Sequence, residues 1–282
     1  TSTIGAVAAA AAVGHMLELD ESRIRSALAL AVAQAGGLQR NFGTMTKPLQ
    51  AGFASAAGVR AALMARAGIT GDSDIFARGG FLDMYAGVNV SNVEPRIDLT
   101  SDCIKLYPCC YGAHRMIAAA LQLHATDLAN KRFEVIAPAG QLQPLRVVDP
   151  ASGLEAKFCA RYIVATALLR GAVTFADFTD EAIQQRDRRA LMERVVVTGS
   201  PDTSAHDTLE AGEVVLNEFI GDTLQRSIRI EAYPGSARAP ATDAQRDAKL
   251  IDCLDVYSRA AGKNLSLAEF RTMTAQLCGV SN

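Results

Sequence analysis

The sequence predicts an α+β protein, an all-helical domain interrupted by a smaller α+β lid domain. Three observations carry this prediction. Small and apolar residues recur at helical spacing through the first hundred residues, short β-branched runs and a hairpin turn signal fill the middle, and two helix-start signatures follow residue 241. The predicted division is residues 1–99 helical, 100–240 α+β lid, and 241–282 helical, this last segment returning to the helical domain.

The elements follow in order. Residues 4–13 are apolar and mostly alanine, well short of the roughly 20 residues that span a bilayer. From Glu21 onward, Ile24, Ala27, Leu28, Ala31, Val32 and Ala35 keep the i, i+3, i+4, i+7 pattern of one helix face. Asp20 is the expected N-cap and Gly36-Gly37 the expected stop. A second helix follows Pro48, a residue suited to a first helical turn. It carries Gly52, Ser55, Ala56 and Val59 on its expected packing face and closes at Gly68. Such narrow side chains let helix backbones approach, which predicts a helix-on-helix core.

In the middle, residues 133–136 and 145–148 read as strands, 155–169 and 180–192 as helices, and 194–198, 212–219 and 225–233 as further strands. The last two face each other across Gly221-Asp222, a hairpin signal. Arg186, Arg188, Arg189 and Arg194 read as a solvated helix face. Thr242 with Gln245, and Ser266 with Glu269, fit the capping box and start the returning helices.

Composition excludes some functions. With 21% charged residues and a net charge of −2, there is no basic excess to attract nucleic acid or an anionic membrane, and neither is expected as a partner. The six cysteines show no C-x-x-C pair and no Cys/His zinc spacing, so free thiols in a reducing cytoplasm are expected, with no metal. No G-x-G-x-x-G follows a strand.

Two segments can carry chemistry. In residues 42–52, Lys47 precedes Pro48 at a helix start, where exposed N–H groups and the helix dipole favour a carboxylate. In residues 103–114, Lys105 leads into Tyr107-Pro108 and His114 opens the next helix; the dipole there opposes a second positive charge and favours a neutral imidazole able to act as a base. Taken singly, each lysine reads as solvated and His114 as a cap. His15, His124 and His206 read as structural.

The strings Thr1-Ser2-Thr3-Ile4-Gly5, Gln34-Ala35-Gly36-Gly37-Leu38, Gly43-Thr44-Met45-Thr46-Lys47-Pro48, and Tyr107-Pro108-Cys109-Cys110 with His114 together resemble the 2-methylcitrate dehydratase family, MmgE/PrpD. Gly153-Leu154-Glu155-Ala156-Lys157-Phe158, Phe178-Thr179-Asp180-Glu181 and the Tyr-Pro-Gly stretch at Tyr233 match too. The resemblance implies a homodimeric enzyme of small di- or tricarboxylates, without metal or organic cofactor, its site between a helical domain and a lid. It implies Lys47 and Lys105 as carboxylate-binding residues and His114 as the proton-transfer group, none of the three filling the core. Hydro-lyase action on a substrate such as 2-methylcitrate is expected first, epimerisation second and decarboxylation third; a non-catalytic carboxylate-binding homologue is the alternative outside enzymes.

Two departures from the family pattern bear on the substrate. Gln50 stands where many relatives have histidine, and it can hydrogen-bond a carboxylate but not move a proton. Gly235-Ser236-Ala237-Arg238 replaces a common lysine-glycine-histidine string. Because the chain opens at Thr1 inside a helix, the resemblance also leads to the expectation that the N-terminal part of the catalytic domain is lacking, with an acidic residue and two histidines of the pocket upstream.

Overall fold

The computed structural model describes residues 2–85, 102–124, 127–204 and 211–279. Contacts divide the chain into two compact units, Thr1–Ile97 and Asp98–Asn282. The expected boundary at residues 99 and 100 lies outside the described residues, as does His206.

The first unit is helical: α1 (Ser2–Met16), α2 (Glu21–Val32), α3 (Thr46–Arg66) and the short α4 (Phe81–Tyr85). Asp20 caps α2 as expected, its carboxylate accepting the Arg23 N–H at 2.9 Å. The helix stops before the glycines, because the Gln34 and Ala35 N–H groups turn back onto the Ala31 and Val32 carbonyls and tighten the last turn. α3 closes as expected at Gly68, whose φ of +93° lets Ile69 N–H reach the Met64 carbonyl in the six-to-one bond of a Schellman ending.

Alanine fills this unit's interior. Ala6 and Ala10 of α1, Ala31 of α2, and Ala54, Ala57 and Ala61 of α3 form one buried cluster. The packing face of α3 is therefore not Gly52, Ser55, Ala56 and Val59, all of which are exposed. Both faces of α3 carry small residues, so periodicity could not choose between them; the match to the α1 alanines does. At the crossing, a Cβ on Gly58 would lie 2.4 Å from Ala9 Cβ and 2.6 Å from the Ala10 nitrogen and Ala6 oxygen. Gly58→Ala should therefore force α1 and α3 apart and destabilise this unit by about 1–3 kcal/mol; denaturant unfolding monitored by circular dichroism would read it. An unchanged midpoint would contradict the close crossing.

The second unit contains α5 (His114–Leu123), β1 (Lys131–Ala137), α6 (Ala139–Leu142), α7 (Gly153–Ala156), α8 (Ala160–Arg170), α9 (Arg186–Met192), β2 (Val195–Gly199), β3 (Val214–Ile220) and β4 (Thr223–Ile230). The strands form one mixed sheet in the order β2-β1-β3-β4. β1 runs parallel to β2, with Phe133 opposite Val195, and antiparallel to β3, with Val135 opposite Leu216. β3 and β4 form the expected hairpin: Gly221, at φ +56°, begins the two-residue turn. Phe133, Val135, Ala137, Val214 and Leu216 pack with Met116, Ile117 and Leu123 of α5 and Ile163, Val164 and Leu168 of α8 in one core.

Four local expectations are corrected here. Residues 145–148 are not a strand; they follow Pro144, Arg146 bonds back to the Gln143 carbonyl at 2.8 Å, and Leu145 and Val147 pack from a loop onto the core. The helix expected over 155–169 breaks into α7 and α8, because the carbonyls of Lys157 and Phe158 accept the N–H groups of Cys110 and Val147 instead of helical donors. The helix expected over 180–192 is a 3₁₀ turn and then α9, separated by Gln185 in extended conformation. The arginine face is not wholly solvated: Arg188 is 3% exposed and pairs at 2.8 Å with Asp177, itself 1% exposed.

The capping boxes form as read. Thr242 opens α10 (Asp243–Ala261) and Ser266 opens α11 (Leu267–Leu277), each exchanging bonds with Gln245 or Glu269. Contacts group both helices with the second unit. The fold class is thus the expected one, helices followed by an α+β module and helices again. Among the described residues no helix is long and apolar enough to cross a membrane.

Candidate active site

The Tyr107–His114 segment is held from several directions. Ile104 N–H donates to the Gly235 carbonyl at 2.9 Å, and a Cβ on Gly235 would sit 2.3 Å from the Ile104 oxygen. That approach, with φ of +90°, gives a physical reason for glycine at this point of the departing Tyr233 string. Cys110 N–H is bound by Lys157. A 3₁₀ turn, Tyr111–Ala113, then delivers the chain into α5.

His114 is fully buried, and among the described residues neither ring nitrogen has a hydrogen-bond partner. The expectation that it stays out of the core is therefore corrected. Its ring stands 5.0 Å from that of Tyr107 and 4.9 Å from that of Tyr111. Tyr111 stacks on Tyr233 at 4.3 Å, and the Arg115 guanidinium lies 4.5 Å from the Tyr233 ring centre. Arg115, also fully buried, bonds the Gln141 side chain and the carbonyls of Ala211, Gly212 and Glu231. The end of β4, the Tyr233 string and the start of α5 are thereby tied into one frame around the imidazole.

The electrostatics are set by burial and lysines. Burial first, and the nearby Lys105 charge second, push the His114 pKa down to about 3; the Tyr107 backbone opposes this without reaching hydrogen-bond geometry. The imidazole is neutral, as expected, but desolvation is the main cause where the helix dipole was the expected one. Burial raises Tyr107 to about 12 and pushes the Cys109 thiol up as well. At neutral pH these groups are all uncharged, and among the described residues Lys105 and Lys249 act on His114, with Lys157 joining them at Cys109. A buried ring with two unused nitrogens in such surroundings is a departure from the rule that buried polar groups are paired. Perturbed groups of this kind concentrate at functional sites.

Lys105 and His114 both lie in the second unit, and the Lys105 charge acts on the imidazole. Lys47 and Gln50 lie together on the first turns of α3, in the first unit. Lys47 Nζ is 5.7 Å from the Phe42 ring centre. Gln50 Oε1 accepts Leu38 N–H at 2.7 Å and Asn41 Nδ2 at 3.0 Å, pinning the loop before α3. A carboxylate would have to use the Nε2 end. His124, read as structural, bonds the Leu168 carbonyl at 2.7 Å. The reading of the residues gave no role to Lys157, Tyr233 or Lys249. The first two sit in strings that matched the family, which was the available signal; Lys249 lies on an amphipathic helix and carried none.

A two-unit α+β protein with a buried, lysine-flanked imidazole in its second unit is the class these features define. Within that class the chain belongs to the MmgE/PrpD family: residues 107–269 match the MmgE/PrpD C-terminal domain and residues 1–93 the MmgE/PrpD N-terminal domain. The second match corrects the expectation that the N-terminal part is lacking, since that domain is represented in residues 1–93. Similar proteins include cis-aconitate decarboxylase of Mus musculus, 28% identical over 85% of this chain and 52% of the relative. The Homo sapiens cis-aconitate decarboxylase is 26% identical over 71% of the chain and 45% of the relative. The 2-methylcitrate dehydratase of Salmonella typhimurium is 28% identical over 82% and 53%. The chain spans about half the length of these curated relatives.

Proposed function

We propose that this chain serves a cofactor-independent lyase of a small di- or tricarboxylate, by hydro-lyase chemistry on a substrate of the 2-methylcitrate kind. The supporting observation is His114, a fully buried neutral imidazole beside the charge of Lys105, with both nitrogens unpartnered among the described residues. In this reading an imidazole nitrogen takes the proton from the carbon next to a carboxylate. The C–O bond to the hydroxyl breaks, and the hydroxyl leaves as water once protonated. Lys105 holds the carboxylate on which negative charge grows. With its pKa held near 3, the imidazole alone is a weak base for this step. A bound carboxylate would offset burial and the Lys105 field and raise its basicity on arrival. In the first unit, Lys47 is proposed as a carboxylate-binding residue and Gln50, through Nε2, as a hydrogen-bond donor.

Decarboxylation is the second reading, favoured by the similarity to proteins named cis-aconitate decarboxylase. Epimerisation of a related dicarboxylate is a third. A cytoplasmic homodimer is proposed with all three, and light scattering of the purified chain would test the dimer.

The deciding experiment is ¹H NMR in deuterated water with citrate, 2-methylcitrate, cis-aconitate and an iminodisuccinate-type acid. Loss of water from a hydroxylated acid, with deuterium exchange, is the expected result. Release of carbon dioxide would favour the second reading, and exchange without net loss the third. Thermal stabilisation by these acids without turnover would make the chain a carboxylate binder and defeat the lyase proposal.

A further inference from the structure

Two tyrosine rings stand against the buried His114 imidazole, and the chemistry proposed above uses neither. Tyr111 is 4.9 Å away, but it lies flat on Tyr233 at 4.3 Å and its hydroxyl oxygen is buried. Tyr107 is placed differently. Its ring centre is 5.0 Å from that of His114, edge to face at 73°, and the residue is only half-buried. Among the described residues the Tyr107 hydroxyl has no hydrogen-bond partner.

The local sequence fixes this contact. Pro108 disfavours helical backbone at Tyr107, and the ring packs against the main core. The turn that follows is tied down by Cys110 N–H on the Lys157 carbonyl at 2.9 Å and Ala113 N–H on the Cys110 carbonyl at 3.0 Å. α5 therefore starts with His114 brought back onto the Tyr107 ring.

Loss of water needs a base for the C–H proton and an acid for the departing hydroxyl, because hydroxide is a poor leaving group. Burial first raises Tyr107 to about 12. The phenol thus keeps its proton at neutral pH, yet it is a stronger acid than water, whose pKa is about 15.7.

We propose that Tyr107 is the catalytic acid of the elimination, giving its phenolic proton to the leaving hydroxyl while His114 takes the proton from the neighbouring carbon. This rests on the hydro-lyase reading above and supplies the donor of the second proton. The C–H electron pair becomes the new C=C bond, and the C–O pair leaves with the oxygen, which takes the Tyr107 proton and departs as water. The imidazolium is a stronger acid than the phenol, so it returns its proton to the phenolate and both groups end as they began.

Tyr107→Phe keeps the ring and removes only the hydroxyl. With 2-methylcitrate in deuterated water it should slow loss of water by at least about a hundredfold, while deuterium still enters at the carbon served by His114. With the analogue carrying fluoride in place of the leaving hydroxyl, fluoride release should fall by less than about tenfold, since fluoride is a weak base and leaves with little help from an acid. Tyr257→Phe, at an exposed ring elsewhere, should change neither rate. Water loss from Tyr107→Phe at the wild-type rate would overturn the assignment, leaving His114 to move both protons and the lyase reading intact. Equal losses with both leaving groups would overturn it too, because a merely structural role does not distinguish them. If the unaltered chain eliminated neither water nor fluoride, the lyase reading would fall and the assignment with it.

Discussion

Exchanging His114 for glutamine should lower kcat/KM on the productive carboxylate by at least about a hundredfold, equivalent to about 2.7 kcal/mol of transition-state stabilisation. Glutamine keeps hydrogen-bonding atoms and comparable volume but cannot carry a proton near neutral pH. The loss should fall on kcat more than on KM, because on the proposed assignment Lys105 would still hold the ground-state carboxylate. Lys105→Ala should lose a comparable factor with KM raised as well. Near wild-type turnover in both variants would defeat the assignment.

The same residue gives a pH signature that needs no substrate. The His114 pKa is about 3 in the folded chain against 6.5 for the ordinary side chain. Between these values the unfolded chain binds a proton that the folded chain refuses, so stability falls as pH drops from about 6.5 towards 3 and the loss levels off below it. His114→Leu removes that proton uptake and should flatten this part of the stability–pH curve. Denaturant midpoints at pH 7, 5.5 and 4.5 would show it; parallel curves for the variant and the parent would refute a neutral buried His114.

Replacing Arg188 by leucine should destabilise the second unit by about 3–5 kcal/mol, because it strands the Asp177 carboxylate without its buried partner. The pair is 2.8 Å apart with both side chains nearly inaccessible. Arg188 also donates to the Tyr162 hydroxyl at 3.0 Å, and Asp177 caps its own 3₁₀ turn through Thr174. Desolvating two charges is expensive, so the intact pair contributes less than its rupture costs. Arg188→Leu combined with Asp177→Asn should therefore recover part of the loss, and a double-mutant cycle would measure how much. An Arg188→Leu variant unfolding at the parental midpoint would show the pair to be dispensable.

What could be read locally and what could not divide along the range of the interactions involved. Asp20, the Thr242 and Ser266 capping boxes, Gly68 and the Gly221-Asp222 turn act on backbone groups a few residues away, so their residue types sufficed. The alanine-rich helices were legible as helices, but not the face of α3 that packs, since small residues line both. Lys105 and His114 were singled out as candidates through the matching strings. That His114 is buried, with no hydrogen-bond partner among the described residues, was not legible, because its burial depends on Tyr107, Tyr111 and the packing of α5.

The sequence by itself determined the α+β class, the order of helical and mixed segments, most helix starts and stops, and the family. Only the tertiary structure decided that Arg188 pairs in the interior, that Lys157 and Phe158 spend their carbonyls on Cys110 and Val147 instead of a helix, and that Lys157 and Lys249 each stand near the Phe175 ring. Each of these depends on burial and on partners far apart in the chain, as when Arg115 reaches the Glu231 carbonyl across 116 residues. Local pattern carries backbone preference, whereas desolvation and charge at a site arise only when distant segments close around it.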